Sequence, residues 1–275
     1  MADRLRVCAL YPDLMNIYAD RGNLQLLRKR CEWRGLCFEL SGVGLDDTLD
    51  PDAHDLFYVG GGQDRDQALC AEDMATDKRE ALHKAAADGK VIFAVCGGYQ
   101  LLGHGYAMGG ERLPGVSLVD LETVREDGPR LIGNVAIEVE LEGTRHVLAG
   151  FENHGGRTKL GAATPLGKVL KGHGNDGRSG FEGTRGGVHG TVVGTYLHGP
   201  LLPKNAWFAD WLTATALHRA VSDLTPLDDR LEDAAHALEA TGAVVAVALE
   251  HAAERRGGPE PRAPAVVLEA CKNGA

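Results

Sequence analysis

The run Val91-Ile92-Phe93-Ala94-Val95 ends abruptly at Cys96-Gly97-Gly98, and no other stretch limits the fold as tightly. Five consecutive apolar residues suit a strand buried on both faces, as in the middle of a parallel sheet. The paired glycines permit a tight strand-to-helix turn that pushes the Cys96 side chain out at the sheet's carboxyl edge. Unpaired N–H groups and the positive end of the helix favour a thiolate there, and the Gly97 N–H is placed to hold an oxyanion. Taken alone, Cys-Gly equally suits a buried cysteine packed as a small hydrophobe.

Two further segments add to it. Leu56-Phe57-Tyr58-Val59 reads as a second buried strand, running into Gly60-Gly61-Gly62-Gln63-Asp64. Glycines let backbone N–H groups approach a ligand, so Gly61 or Gly62 is a candidate second oxyanion donor, with Gln63 or Asp64 capping the next helix. The Lys-Ser/Thr that would complete a phosphate loop is missing. Downstream, Val192-Val193-Gly194-Thr195-Tyr196-Leu197 delivers His198 into a Gly-Pro turn. An imidazole at one sheet edge with a thiol can deprotonate it, whatever their separation in sequence. As an isolated residue, His198 reads as a loop histidine.

With 275 residues, 44% of them hydrophobic, the chain suits one large domain or a domain with an appendage. A net charge of −10 argues against a general nucleic-acid surface. Arg28-Lys29-Arg30 reads as the solvated face of a helix. Six cysteines without zinc or CxxC spacing point to a reducing, cytoplasmic setting and no resident metal. No signal-type or membrane-spanning run is evident.

Alternation of strands and helices through the first half predicts a parallel sheet with flanking helices. Asn23 is expected to cap a helix from Leu24 to Arg34, and Lys78 to Ala87 to form another. From Leu118 onward, strand-like stretches separated by turns predict an antiparallel extension. Gly167 to Gly190, dense in glycine, reads as a mobile loop or lid over the site. The expected organisation is an enzymatic domain over 1–220, a helical appendage over 221–254 and a disordered tail over 255–275.

Strand-GGG, strand-Cys-Gly-Gly-Tyr-Gln and strand-Tyr-Leu-His-Gly-Pro, in that order, resemble the class I glutamine amidotransferases. The stretch Gly150-Phe151-Glu152-Asn153-His154-Gly155-Gly156-Arg157 is similar to a motif of the cobyric acid synthase branch. Tyr18 to Leu24, Gly60 to Ala68 and Gly194 to Asn205 bring the chain nearer still to the glutaminase subunits of bacterial lipid II isoglutaminyl synthases. This resemblance covers about residues 5 to 215.

It implies an α/β fold of that class: a mostly parallel central sheet flanked by helices, with an antiparallel extension. It also implies hydrolysis of glutamine to glutamate and ammonia through a thioester on Cys96, with His198 as base and Gly61, Gly62 and Gly97 around the oxyanion. The class usually carries an acid two residues after the histidine, where this chain has Pro200. Either a dyad suffices, a partner lends the acid, or Glu152 supplies it; Glu152 and His154 equally suit a supporting network. The resemblance points to Arg130 for the substrate carboxylate, with Arg157 as an alternative. Gln100 is placed to contact substrate or cap the elbow helix.

The chain has no phosphate loop, so the resemblance implies a heterodimer with a Mur-ligase-like synthetase that carries ATP and Mg and amidates lipid II, in the cytoplasm or at the inner face of the membrane. Amidation of cobyrinate, or a non-catalytic regulatory role, are the alternatives.

Overall fold

The computed structural model describes residues 3–16 and 20–237. The first half alternates as expected: β1 (Arg4–Leu10), α1 (Arg21–Trp33), β2 (Cys37–Val43), β3 (Leu56–Val59), α2 (Asp64–Ala75), α3 (Arg79–Ala87), β4 (Val91–Val95) and the short α4 (Gly97–Leu101). β5 (Gly105–Met108), β6 (Glu111–Pro114), β7 (Leu121–Arg125), β8 (Leu131–Leu141), β9 (Thr144–His154) and β10 (Gly156–Leu160) follow. The chain continues through β11 (Gly167–Lys171), β12 (Phe181–Glu182), β13 (Thr184–Gly186), β14 (Val192–Thr195), α5 (Leu201–Lys204) and α6 (Ala206–Ala216).

The central sheet has the order β13-β14-β4-β3-β1-β2. All its pairings are parallel except the edge pair β13/β14. β4 lies in the middle with all five residues buried, which is why its sequence is continuously apolar. Each large aliphatic or aromatic side chain buried there contributes about 1.5–3 kcal/mol. Two four-stranded sheets, β10-β7-β5-β6 and β12-β11-β8-β9, make the largely antiparallel extension.

Several expectations change. Asn23 does not cap α1, which begins at Arg21; its side chain is buried, donating to Tyr58 Oη at 3.1 Å and accepting the Leu202 N–H at 2.8 Å. Arg30 is no part of a solvated face. It is fully buried and forms bidentate ion pairs with Asp210 and Asp229, while Arg34 also holds Asp210 and the Thr225 carbonyl. Partners on both sides of the guanidinium offset its desolvation. They also lash residues 225–229 to α1 and α6.

Residues 167–190 are not an open loop or lid. They contain β11, β12 and β13, strapped down by buried Asn175, which accepts from Tyr99 Oη and the Gly183 N–H and donates to the Gly183 carbonyl. Residues 230–237 are helical. Residues 238–254 of the expected appendage and the whole 255–275 segment lie outside the described residues.

Candidate active site

β4 and β14 run side by side, with Thr195 level with Val95, so both strands end at the same edge. The Cys96 N–H donates to the Thr195 carbonyl at 2.8 Å, joining the Cys96 turn to the strand that delivers His198. Cys96 has φ 52° and ψ −106°, a conformation that costs a non-glycine residue about 1–3 kcal/mol and marks a strained elbow. Gly98 is needed below it, because a Cβ there would stand 2.7 Å from the Val59 carbonyl oxygen.

The GGG loop lies against the elbow: the Gly98 N–H donates to the Gly60 carbonyl at 3.1 Å. Met15 roofs the loop, since a Cβ on Gly60 would meet its carbonyl oxygen at 2.3 Å and one on Gly62 its Sδ at 2.4 Å. The Gly62 nitrogen lies 3.1 Å from the position of a Cβ on Gly97. Gly62 and Gly97 therefore stand together beside Cys96. Gly61 departs from expectation: its N–H is committed to Asp20 Oδ2 at 2.8 Å, so it is not an oxyanion donor in this arrangement.

The other Asp20 oxygen faces His198 Nδ1 at 3.4 Å, with both side chains buried. The carboxylate facing the histidine is thus neither Glu152 nor a residue at position 200, but the residue immediately before α1. Asp20 makes no capping bond to that helix, because its carboxylate is turned to Gly61 and His198. With Nδ1 given to Asp20, Nε2 is the nitrogen left for proton exchange with the thiol. Burial alone would lower the pKa of His198, but the adjoining Cys96 and the Asp20 carboxylate outweigh it and raise the value to about 10. The imidazolium is favoured beside the thiol.

Other cysteines differ. Cys8, Cys31 and Cys70 are buried and free of disulfides, and burial pushes each thiol up to about 12. Such thiols are inert.

Glu152 serves a different place. Its oxygens accept the His173 N–H at 2.6 Å and the Gly174 N–H at 2.9 Å, pinning the glycine-rich segment to β9. His154 donates from Nδ1 to the Gly156 carbonyl at 2.8 Å, since a carbonyl only accepts, and stacks on Tyr196 at 3.6 Å. Gln100 is buried, accepting from Gln67 at 2.8 Å and donating to Tyr196 Oη at 3.1 Å. It braces the elbow helix from the side.

Arg130 is exposed and donates to the Asn153 side chain at 2.8 Å and carbonyl at 2.7 Å. Asn153 is two residues along β9 from Phe151, whose backbone exchanges two hydrogen bonds with His198. Arg157 is nearly buried and donates to the carbonyls of Gly155, Gly156 and Pro129. That commitment makes it a brace rather than the alternative carboxylate clamp.

Met15, Asp20 and Gln67 are the residues that sequence reasoning missed. Among the described residues, Asp46, Asp73 and Asp77 are the carboxylates close enough to share a cation, and Lys78 and Tyr11 already hold Asp73.

A buried Cys–His–Asp relay at an elbow, with backbone N–H groups beside the thiol, is built for acyl transfer. The sequence pattern of CobB/CobQ-like glutamine amidotransferase domains matches residues 6–206. The chain belongs to this family. Subunit GatD of the glutamine-hydrolysing lipid II isoglutaminyl synthase of Streptococcus pneumoniae is 36% identical over 218 residues, covering 78% of this chain and 82% of that protein. The Staphylococcus aureus protein of the same name is 38% identical over 209 residues, covering 75% and 82%. The probable cobyric acid synthase of Methanothermobacter thermautotrophicus is 34% identical over 153 residues, 50% of this chain but only 29% of that protein. Among solved structures, PurLQS from Thermotoga maritima aligns with a TM-score of 0.52 at 21% identity, over 78% of this chain and 95% of that one. That likeness is one of fold. No helix among the described residues is long and apolar enough to cross a membrane.

Proposed function

We propose that this glutamine amidotransferase is a glutaminase subunit that hydrolyses L-glutamine and passes the ammonia to a Mur-ligase-like synthetase amidating the D-glutamate of lipid II. The observation that carries the chemistry is the juxtaposition of Cys96, His198 and Asp20. Its acceptor is inferred from the two lipid II isoglutaminyl synthase subunits, which are covered over most of their length.

In the proposed reaction the Cys96 thiolate attacks the side-chain amide carbon, and the tetrahedral oxyanion is held by the N–H groups of Gly97 and Gly62. One such donor is worth about 3 kcal/mol. The His198 imidazolium gives its proton to the leaving ammonia, forming a thioester on Cys96. Neutral His198 then takes a proton from water, which displaces glutamate and returns the thiol. Asp20 holds Nδ1 and stabilises the imidazolium throughout. Arg130 is the candidate cation for the glutamine α-carboxylate, on geometry that requires it to exchange Asn153 for substrate.

ATP and Mg are assigned to the partner, since the activation of a carboxylate needs them and this chain lacks a phosphate loop. The proposed complex works in the cytoplasm, at the membrane's inner face where lipid II is presented. Cobyrinate amidation is disfavoured because the probable cobyric acid synthase of Methanothermobacter thermautotrophicus matches only 50% of this chain, against 78% and 75% for the two GatD subunits. A non-catalytic role is disfavoured because the relay is intact.

The test is ammonia and glutamate release by the purified chain, compared with Cys96→Ala, and labelling with 6-diazo-5-oxo-norleucine. Label on Cys96 and loss of hydrolysis in the variant support the reading; label on Cys37 or a buried structural thiol would sink it. Addition of the synthetase, ATP and lipid II should then yield amidated lipid II.

A further inference from the structure

Glu182, on the two-residue strand β12, is fully buried and takes no part in the reaction above. A carboxylate in that position is costly unless donors surround it. Most of its donors come from one place, with the Gly183 backbone adding to them. The Tyr196 N–H reaches Oε1 at 2.6 Å, and the Thr195 hydroxyl lies 3.1 and 3.0 Å from the two oxygens. The same hydroxyl accepts the Leu197 N–H at 3.0 Å.

β14 ends at Thr195, so the N–H groups of Tyr196 and Leu197 have left the ladder of the sheet. Glu182 takes the first directly and the second through Thr195. The next residue is His198, and the Thr195 carbonyl is the acceptor of the Cys96 N–H. One buried side chain therefore stands at the junction of nucleophile and base.

We propose that Glu182 is a positioning residue for the base, fixing the backbone of Tyr196 and Leu197 so that the His198 imidazole is held between Asp20 and Cys96. An unanchored Tyr196–Leu197 segment would be free to carry His198 away from the thiol, and a displacement of about 1 Å can cost on the order of 100-fold in rate. Burial also pushes the Glu182 carboxyl up to about 8, so its neutral form is well populated at pH 7. Glutamine is nearly isosteric with that form and keeps an acceptor for the Tyr196 N–H.

The proposal rests on the glutaminase reading only for its turnover assay, and a second readout is independent of substrate. Glutamine hydrolysis per active site is measured after counting sites with 6-diazo-5-oxo-norleucine, so that misfolded molecules do not enter the rate. The rate of Cys96 alkylation by iodoacetamide, followed by mass spectrometry, reports thiolate formation without glutamine. For Glu182→Ala we expect kcat per counted site to fall about 100-fold with KM within about twofold, and alkylation to slow in parallel. Glu182→Gln should recover kcat to within about threefold of wild type, because it preserves the acceptor.

Wild-type kcat per site and wild-type alkylation in Glu182→Ala would overturn the proposal, as would a Glutamine variant no better than the alanine one. If Glu182→Ala does not fold, Thr195→Val decides: it removes the hydroxyl link at similar volume and should slow both readouts, and unchanged rates would refute the role. A wild-type chain that releases no ammonia either alone or with its synthetase partner would instead refute the glutaminase reading, while alkylation still tests Glu182.

Discussion

Two buried acid–histidine pairs lie within a few residues of each other in space, and their surroundings push the two imidazoles in opposite directions. His198 faces Asp20 at 3.4 Å and His154 faces Glu152 at 3.7 Å, all four side chains being almost wholly excluded from solvent. Burial works against the charged form of both rings. For His198 the adjoining Cys96 and Asp20 overcome it; for His154 the help from Glu152 and the Gly156 carbonyl does not, with Arg157 adding to the depression. A nearby carboxylate therefore does not by itself make a base. Glu152 spends its oxygens on two backbone N–H groups of the glycine-rich segment, and His154 becomes a flat surface for Tyr196. Asp20 spends one on Gly61 and keeps the other for His198.

Substitution of the two pairs should separate them. His198→Ala should reduce glutamine turnover by about 10⁴-fold or more, as loss of the base does in comparable relays. Steady-state kinetics measure it, and residual activity within about tenfold of wild type would remove His198 from the mechanism. Arg130→Ala probes the edge between the pairs and should raise KM for glutamine by about tenfold with little change in kcat, because a carboxylate contact is the same in ground and transition states. Collapse of kcat at constant KM would give Arg130 another role.

Glu152→Gln should leave kcat within about threefold but cost about 1–3 kcal/mol in stability, since a neutral amide supports the His173 and Gly174 N–H groups less well. Urea melting reads the second effect. A large kcat loss in folded protein would return Glu152 to the reaction.

The smallest effect is in pH dependence. The folded pKa of His198 is raised from the ordinary 6.5 to about 10, so its stabilising contribution is complete below 6.5 and is lost as pH rises towards 10. His154 is shifted downward, so it costs stability only as pH falls below the ordinary value. Cys96→Ala removes the largest group raising His198, so the Tm difference, wild type minus variant, should fall between pH 6.5 and 10. A difference that grows over that range would contradict the assignment.

The sequence makes the thiol and the imidazole easy to find and hides the connections. Cys96 and His198 are legible because buried strands run into glycine turns, a signal carried by neighbours in the chain. Asp20 is not, because an aspartate directly before a helix reads as a cap, and its real partners are 41 and 178 residues away. The strands of 167–190 are hidden by their glycines, which read as loop. There Gly172 and Gly174 have φ of 97° and 65°, and a Cβ on Gly172 would stand 2.8 Å from Glu152 Oε1. Arg30 likewise reads as surface until Asp210, 180 residues on, closes over it. Local pattern locates the chemistry; long-range polar contacts decide which acid serves it.

With Asp20 facing His198, this chain carries its own candidate orienting acid. Ammonia release by the purified chain without any partner, wild type against Asp20→Asn, tests it most directly. Wild type alone should hydrolyse glutamine, and kcat should fall about 10³–10⁴-fold in the variant with KM nearly unchanged, as when an orienting carboxylate is lost elsewhere. Equal turnover in the two proteins, or a wild type that is silent until a partner is added, would contradict it.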